Sequence, residues 1–274
     1  MTSILTSEVA SQVAALEVRG ASFGYGAHPV VRDVDVDIRP GAFTVFIGPN
    51  ASGKSTTLKG LARLLPPLSG SVRLEGRDAA DYRPRQYARR LAMLPQAPIT
   101  PPDVRVCDLV LRGRAPYQSL LRQFSRRDEQ VVAEAMRLTG VEELADRRVD
   151  ELSGGQRQRV WIAVSLAQET PILLLDEPTT YLDLAHQIEV LDLCARLHAE
   201  GRTLVVVLHD LNLAARYATD MVLFRDGMVA AHGSPGEVLT APRVSEVFGL
   251  GCDVVPDPRT GTPMIVPEIP PHLR

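Results

Sequence analysis

Lysine is nearly missing from this sequence. Its 274 residues hold 30 lysines and arginines together, and only two of these, Lys54 and Lys59, are lysine. Arginine serves almost everywhere that a positive charge is needed. Because an ammonium and a guanidinium differ in shape and hydration, a lysine in this chain indicates a position that requires lysine.

Cysteines and long apolar runs are also scarce. Cys107, Cys194 and Cys252 are far apart and form no C-x-x-C pair, which argues against a disulfide framework or a zinc site. No apolar run approaches the roughly 18 residues of a membrane-spanning helix. The N-terminus lacks the basic and apolar regions of a signal peptide. We therefore expect a cytoplasmic protein that reaches a membrane only through a partner.

The remaining composition is that of a globular protein. Hydrophobic residues make up 45% and charged residues 23%, enough for a large core. The net charge of −3 argues against binding nucleic acid through bulk positive charge. A compact α/β domain with an insertion fits this length best.

Strand-like and helix-like segments alternate along the chain, which predicts a mainly parallel sheet with helices on both faces. A helix after residue 183 should bury Leu184, Ile188, Leu191 and Ala195. Arginine-rich helical sequence over Asp103–Val149 indicates a helical insertion. The predicted strands are Leu16–Arg19, Val30–Ile38, Ala42–Ile47, Ser71–Leu74, Leu91–Leu94, Ile172–Leu175, Thr203–Leu208 and Met221–Phe224. A helix from Lys54 to about Leu65 and a hairpin turn at Asp257–Gly261 complete the prediction.

Three aspartates alternate with apolar residues in the second predicted strand. Asp33, Asp35 and Asp37 share one face of Val30–Ile38. Such a row could hold a metal ion, but the solvated face of an antiparallel strand is the interpretation we favour.

A glycine-rich loop lies between a predicted strand and a predicted helix. Residues Gly48–Ser55 read Gly-Pro-Asn-Ala-Ser-Gly-Lys-Ser. Their N–H groups and the following helix N-terminus would form a nest for phosphate oxygens. Lys54 would reach the β- and γ-phosphates, and the Ser55 hydroxyl would bind Mg²⁺. The loop therefore predicts a nucleotide site.

Two carboxylates and a histidine follow later strands. Asp176 and Glu177 come after Ile172–Leu175, and His209 comes directly after Thr203–Leu208. Ligands of parallel α/β sheets bind at the carboxyl ends of strands, so these side chains should lie near the phosphates. Asp176 would help to hold Mg²⁺, and Glu177 would orient the attacking water and accept its proton. A capping role for Glu177 is the alternative.

A second candidate anion site precedes another predicted helix. Ser153, Gly154, Gly155 and Gln156 begin a helix that runs to about Gln168. One nucleotide does not need two such sites in one chain. Two chains paired head to tail would place each ATP between the phosphate loop of one and this segment of the other. A simple turn before a helix is the alternative.

Taken in order, these motifs resemble the ATP-binding subunits of ABC transporters. Within that family, Arg112–Tyr117, Glu151–Ala163 and Pro178–Gln187 most resemble importers of ferric siderophores. The ordered motifs are GPNASGKST (48–56), LPQ (94–96), LSGGQRQR (152–159), LLLDEP (173–178), LD (182–183) and HD (209–210).

The resemblance implies further roles. Tyr25 would stack on adenine, Gln96 would contact Mg²⁺ and the water, and His209 would be the switch histidine. Ser153 and Gly155 would contact the γ-phosphate of the partner's ATP, and the loop at Asp183 would cross to the partner chain. The nucleotide contacts would then come from Gly48, Pro49, Asn50, Ala51, Ser52, Gly53, Lys54, Ser55 and Thr56, and across the dimer from Ser153, Gly154, Gly155, Gln156 and Asp183.

One position departs from the family pattern. Ala51 stands where many relatives have glycine. If the loop requires a positive φ there, alanine adds strain.

The resemblance also implies the architecture. It indicates an α/β fold of the P-loop NTPase type, with a mainly parallel core sheet, an antiparallel β subdomain and an inserted helical subdomain. Residues 15–267 would form one ATPase domain, with the helical subdomain over about 98–155. Residues 1–14 would be a flexible lead-in, and residues 268–274 a mobile tail.

The implied partners are a second copy of the chain and a membrane permease. ATP would be sandwiched in the homodimer, which would bind permease subunits at the cytoplasmic face of the inner membrane, and through them a substrate-binding protein. Nucleic acid is not an expected partner. Haem, cobalamin or another metal chelate is the alternative cargo. A soluble ABC ATPase acting on ribosomes or DNA is a third possibility, although such proteins usually carry two ATPase units or a long coiled-coil insert.

Overall fold

A computed structural model describes residues 13–118, 125–180 and 182–268. Within them the strands are β1 (Leu16–Tyr25), β2 (His28–Ile38), β3 (Phe43–Ile47), β4 (Ser69–Leu74), β5 (Arg77–Asp78), β6 (Leu91–Leu94), β7 (Ile172–Asp176), β8 (Thr203–Val207), β9 (Asp220–Arg225), β10 (Met228–Gly233), β11 (Cys252–Pro256) and β12 (Pro263–Pro267). The helices are α1 (Lys54–Leu61), α2 (Pro84–Ala88), α3 (Val106–Leu111), α4 (Arg126–Leu138), α5 (Gly154–Ala167), α6 (Leu184–Ala199), α7 (Leu211–Tyr217), α8 (Pro235–Val238) and α9 (Ala241–Phe248).

The central sheet has six strands in the order β10-β9-β3-β8-β7-β6. Neighbours from β9 to β6 are parallel, and β10 pairs antiparallel with β9 at one edge. Every residue of β3, β7 and β8 is buried, as expected for strands covered on both faces. This confirms the mainly parallel core sheet. The carboxyl ends of β3, β7 and β8 lie along one edge, where the site is built.

A second sheet, β2-β1-β4-β5, is antiparallel. Val34, Val36 and Ile38 of β2 are buried, and the alternating aspartates are exposed. Asp37 pairs with Arg19, and Asp35 accepts a hydrogen bond from the backbone N–H of Gly20 at 3.0 Å. No group of three or more histidine, cysteine, aspartate and glutamate side chains that could hold a metal ion occurs among the described residues. The exposure of the three aspartates on an antiparallel strand agrees with the solvated-face interpretation.

Helices α3, α4 and α5 lie between β6 and β7 in the sequence and pack on one another. Buried Arg114 joins them, because its guanidinium binds Asp128 at the start of α4 and Glu169 just beyond α5, each at 2.8 Å. The insertion is therefore helical where it is described. Its boundaries at about 98 and 155 stay a prediction.

The C-terminal strands β11 and β12 form a separate antiparallel hairpin, so the predicted turn at Asp257–Gly261 is confirmed. The lead-in lies outside the described residues up to position 12, and the tail from position 269. None of the described helices has both the length and the apolar character that a membrane crossing requires.

Two sequence-based details were wrong. Helix α1 ends at Leu61 and not near Leu65, because Arg63 turns the chain with a φ of 58°. In α6 the predicted apolar face is displaced: Leu184 is 67% exposed, while Val190 and Leu191 are buried. The helical spacing of the apolar residues was predicted correctly, but the first turn of α6 extends beyond the core.

Candidate nucleotide site

The phosphate loop connects β3 to α1 and requires glycine at two positions. Gly48 has a φ of 144°, and a Cβ there would lie 2.3 Å from the carbonyl oxygen of Phe224. Gly53 has a φ of 103°, and its Cβ would lie 2.6 Å from Cγ2 of Val31. Gly53 is also the N-cap of α1, so no side chain covers the first N–H groups of the helix. The loop therefore leaves these donors available for an anion.

A cavity of about 690 Å³ opens over this loop. It brings together residues 50–56 of the phosphate loop, Gln96, Glu177 and His209, whereas the predicted residues Gly48 and Pro49 do not line it. Val30 and Thr180 also line it, and sequence reasoning missed both. The lining residues are Val30, Asn50, Ala51, Ser52, Gly53, Lys54, Ser55, Thr56, Gln96, Glu177, Thr180 and His209.

Lys54 is buried beneath the loop. Its Nζ donates hydrogen bonds to the carbonyl oxygens of Gly48 and Pro49, both at 2.8 Å. Burial lowers the pKa of the ammonium, and the charges of Glu177 and Asp176 oppose that shift. The amine thus lies at the floor of the cavity, held by backbone oxygens.

Asp176 ends β7 and meets the first turn of α1. Its Oδ1 accepts a hydrogen bond from the Ser55 hydroxyl at 2.7 Å. Its Oδ2 is buried and has no hydrogen-bond partner among the described residues. Burial raises the pKa of this carboxyl group, against the opposing effect of Ser55. A hydroxyl beside a carboxylate with an unpartnered oxygen is a donor set suited to Mg²⁺.

The Glu177 carboxylate contacts three other side chains that line the cavity. One carboxylate oxygen accepts hydrogen bonds from Gln96 Nε2 at 2.7 Å and Thr180 Oγ1 at 3.1 Å. The other lies 2.7 Å from His209 Nε2. The backbone of Glu177 is left-handed, with a φ of 54°, which is uncommon for a residue other than glycine. Such strain at a strand end is typical of functional sites.

Other predicted residues lie elsewhere on the chain. Tyr25 is 53% exposed at the end of β1, where its hydroxyl accepts a hydrogen bond from Lys59 at 3.3 Å. Ser153 caps α5 in a reciprocal pair with Gln156, and Asp183 caps α6 through the N–H of His186. Within the described chain, Tyr25, Ser153 and Asp183 are not among the residues that line the cavity. Ser153 and Asp183 are exposed.

The fold and this site define a nucleotide-binding ATPase cassette, and comparison with known proteins agrees. The family model described as ABC transporter matches residues 31–180. The chain is 51% identical to the Probable siderophore transport system ATP-binding protein YusV of Bacillus subtilis (strain 168), over 93% of this chain and 94% of that protein. It is 48% identical to the Ferric enterobactin transport ATP-binding protein FepC of Escherichia coli (strain K12), over 93% and 94%.

Solved structures agree as well. An inward-facing metal-chelate type ABC transporter superposes with a TM-score of 0.79 at 28% identity, over 94% of this chain and 98% of that one. This chain belongs to the ABC transporter family, as the subunit that binds and hydrolyses ATP.

Proposed function

We propose that this chain powers an importer of ferric siderophores by hydrolysing ATP at the cavity over the phosphate loop. The observation that carries the proposal is the Glu177 carboxylate, which faces that cavity and is held by Gln96, Thr180 and His209. A carboxylate in that position can orient a water for in-line attack on a γ-phosphate. The names of the two relatives support the cargo class.

In this mechanism the chain acts by positioning and charge. Lys54 and the N–H groups of the loop bind the phosphates, so that charge developing on the γ-phosphate meets fixed donors. Glu177 orients the water and accepts its proton, while Gln96 and His209 hold the carboxylate in place. Ser55 and Asp176 would hold Mg²⁺, with Gln96 nearby. When bound, that ion would neutralise phosphate charge. Tyr25 would stack on the adenine.

The complete site would need two chains. Ser153 and Gly154 at the start of α5 and Asp183 at the cap of α6 are exposed and do not line the cavity of their own chain. A helix N-terminus attracts anions, so this surface is suited to the γ-phosphate of ATP bound by a second copy. The proposed dimer has two-fold symmetry and two ATP molecules in its interface.

The dimer would act on a permease at the cytoplasmic face of the membrane. Helices α3 to α5 would contact the permease, and Gln96 would link that contact to the site. A substrate-binding protein would deliver the chelate on the opposite side. Haem or cobalamin would use the same ATPase with a different permease and binding protein.

The substitution Glu177→Gln tests the ATPase mechanism. The amide should retain ATP binding, because Lys54 and the loop are unchanged, but it cannot accept the proton. We expect turnover to fall by about 10²-fold or more and ATP to trap a dimer, measured by phosphate release and by light scattering. Glu200→Gln, an exposed change at the end of α6, is the control. Normal turnover by Glu177→Gln would refute the base assignment.

The same variant tests the transport role. Glu177→Gln, loaded with ATP and Mg²⁺, would be used to capture partners from detergent-solubilised membranes of its own host, followed by mass spectrometry. A polytopic permease and a binding protein should co-purify, and the binding protein should bind ferric siderophores more tightly than haem or cobalamin. Capture of ribosomal or DNA-bound partners without a membrane protein would contradict the importer.

A further inference from the structure

The segment that carries His209 leads directly into α7, a helix of seven residues. Asp210 caps it by accepting a hydrogen bond from the N–H of Leu213 at 2.8 Å. A helix this short is only marginally stable by itself. Its position therefore depends on the elements that pack against it. Within the helix, Ala214 and Ala215 are buried, and Leu211, Leu213 and Tyr217 are partly buried against the core. These apolar contacts hold the core-facing side of α7.

The C-terminal hairpin, β11 and β12, holds α7 by polar contacts. The Asn212 amide binds both backbone groups of Ile265: Nδ2 donates to the carbonyl oxygen at 3.3 Å, and the Ile265 N–H donates to Oδ1 at 2.7 Å. One turn later, Arg216 donates to Oδ2 of Asp257 at 2.7 Å. Asn212 and Arg216 are four residues apart and share one face of α7. The hairpin therefore contacts the helix at two successive turns.

Asp257 serves the hairpin and the helix together. Its Oδ1 accepts hydrogen bonds from the N–H groups of Arg259 at 2.8 Å and Thr260 at 3.2 Å, which shapes the turn. Its other oxygen binds Arg216. In the described chain, β11 and β12 pair only with each other. The hairpin is thus a separate sheet with Cys252 and Ile265 buried in the main core, and it is joined to α7 where the turn is fixed.

His209 lies in the chain between β8 and α7. Its side chain is 45% exposed and lies 2.7 Å from Glu177. Because the ring is half-exposed, the position of its backbone helps to set where the ring meets Glu177. That backbone is set by β8 on one side and by the start of α7 on the other.

We propose that the C-terminal hairpin positions His209 against Glu177 by holding α7 through Asn212 and Arg216. The inference rests on the proposed function, in which His209 supports the Glu177 carboxylate during hydrolysis. Asn212 and Arg216 are positioning residues, because neither lines the nucleotide cavity.

Steady-state ATPase kinetics of an Asn212→Ala, Arg216→Ala double variant test this role. We expect kcat to fall at least about tenfold, because small displacements of a catalytic group are costly. The KM for ATP should stay within about twofold, since the phosphate loop is untouched. Arg216→Lys alone should keep most of the activity. Arg137→Ala, which removes an exposed ion pair with Glu134, is the control and should not change kcat.

The substitution His209→Ala separates the possible outcomes. In a chain that already lacks the ring, the double variant should cause no further loss of kcat, because residues acting through one group are not additive. A full independent loss in that background would overturn the proposal, as would wild-type kcat in the double variant. If His209→Ala alone leaves kcat unchanged, the role of His209 in the proposed function also fails. Should the double variant not fold, Asp257→Asn replaces it, because its amide oxygen still caps the turn but lacks the charge.

Discussion

Ala51 occupies a left-handed conformation in the phosphate loop, with a φ of 61°. A residue with a Cβ loses about 1–2 kcal/mol there, whereas glycine loses about 0.5–1 kcal/mol more freedom on folding. Ala51→Gly should therefore raise the free energy of unfolding by about 0.5–1 kcal/mol. Urea unfolding without nucleotide measures the change. Ala195→Gly, within α6, is the control and should be destabilising. A loss of stability in Ala51→Gly would show that the loop is not strained at this position.

The surroundings of Lys54 explain why lysine occurs at this position in an arginine-rich chain. Its Nζ fits between two carbonyl oxygens in a position that is only 4% exposed. The planar guanidinium of Lys54→Arg is too wide for that position, so ATP affinity should fall at least about tenfold. Titration with a fluorescent ATP analogue measures it. Lys59→Arg, which can still donate to Tyr25, should bind nearly normally, and equal losses in the two variants would contradict this account.

At the residue scale, the sequence predicted which side chains meet but not how. Gln96 and Glu177 are 81 positions apart, yet 2.7 Å separates their polar atoms. They meet because β6 and β7 are parallel neighbours, an order that no local pattern reveals. Thr180 was missed for a different reason. A threonine three residues after Glu177 gives no signal until the turn that brings it back to the carboxylate is known.

At the element scale, Arg114 ties the helical insertion together. Burial opposes the charge on Asp128, but hydrogen bonds from Arg114 and Ser125 outweigh it and lower the pKa of that carboxyl group. Arg114→Ala would leave Asp128 buried without its partner and should cost about 3–5 kcal/mol of stability. Arg127→Ala removes an exposed contact to Glu169 and should cost about 0–1 kcal/mol. Thermal unfolding compares them, and equal costs would contradict the buried network.

The hairpin turn should make the free energy of unfolding depend on pH in the acidic range. Hydrogen bonds from Arg216 and Arg259 lower the pKa of Asp257 from 3.8 to about 2. The unfolded state therefore binds this proton first, so the contribution is complete above the ordinary pKa and is lost as pH falls from about 4 to about 2. The difference in Tm between wild type and Asp257→Asn should shrink across that window. A constant difference would mean that folding does not lower the pKa of Asp257.

Element types were easier to predict than element ends. The alternation of apolar runs and amphipathic segments predicted the order of strands and helices around the parallel sheet. The end of α1 was missed because Arg63 adopts a conformation that its residue type does not favour. The exposed Leu184 was missed because periodicity gives the face of a helix but not the length of core beside it.

At the scale of the whole molecule, the two halves of the proposed ATP site belong to parts of the chain that do not line one cavity. The phosphate loop lies at the carboxyl edge of the sheet, and the exposed N-terminus of α5 does not line that cavity. In the proposed dimer, the site becomes complete when the same two surfaces of a second copy meet them. Because a two-fold interface repeats each contact, such a dimer would contain two complete sites.

Mixing two inactive chains tests this arrangement. Lys54→Ala lacks a working phosphate loop. Ser153→Asp keeps the cap of α5, because aspartate also accepts the N–H of Gln156, but it places a negative charge toward the phosphate. Alone, each should be nearly inactive. A mixed dimer contains one intact site, formed by the loop of one chain and Ser153 of the other, so an equal mixture should regain up to about a quarter of wild-type turnover. Ser153→Asn, a neutral cap, should retain activity by itself. Because sites contained within single chains cannot complement, a mixture no more active than its parents would overturn the shared site.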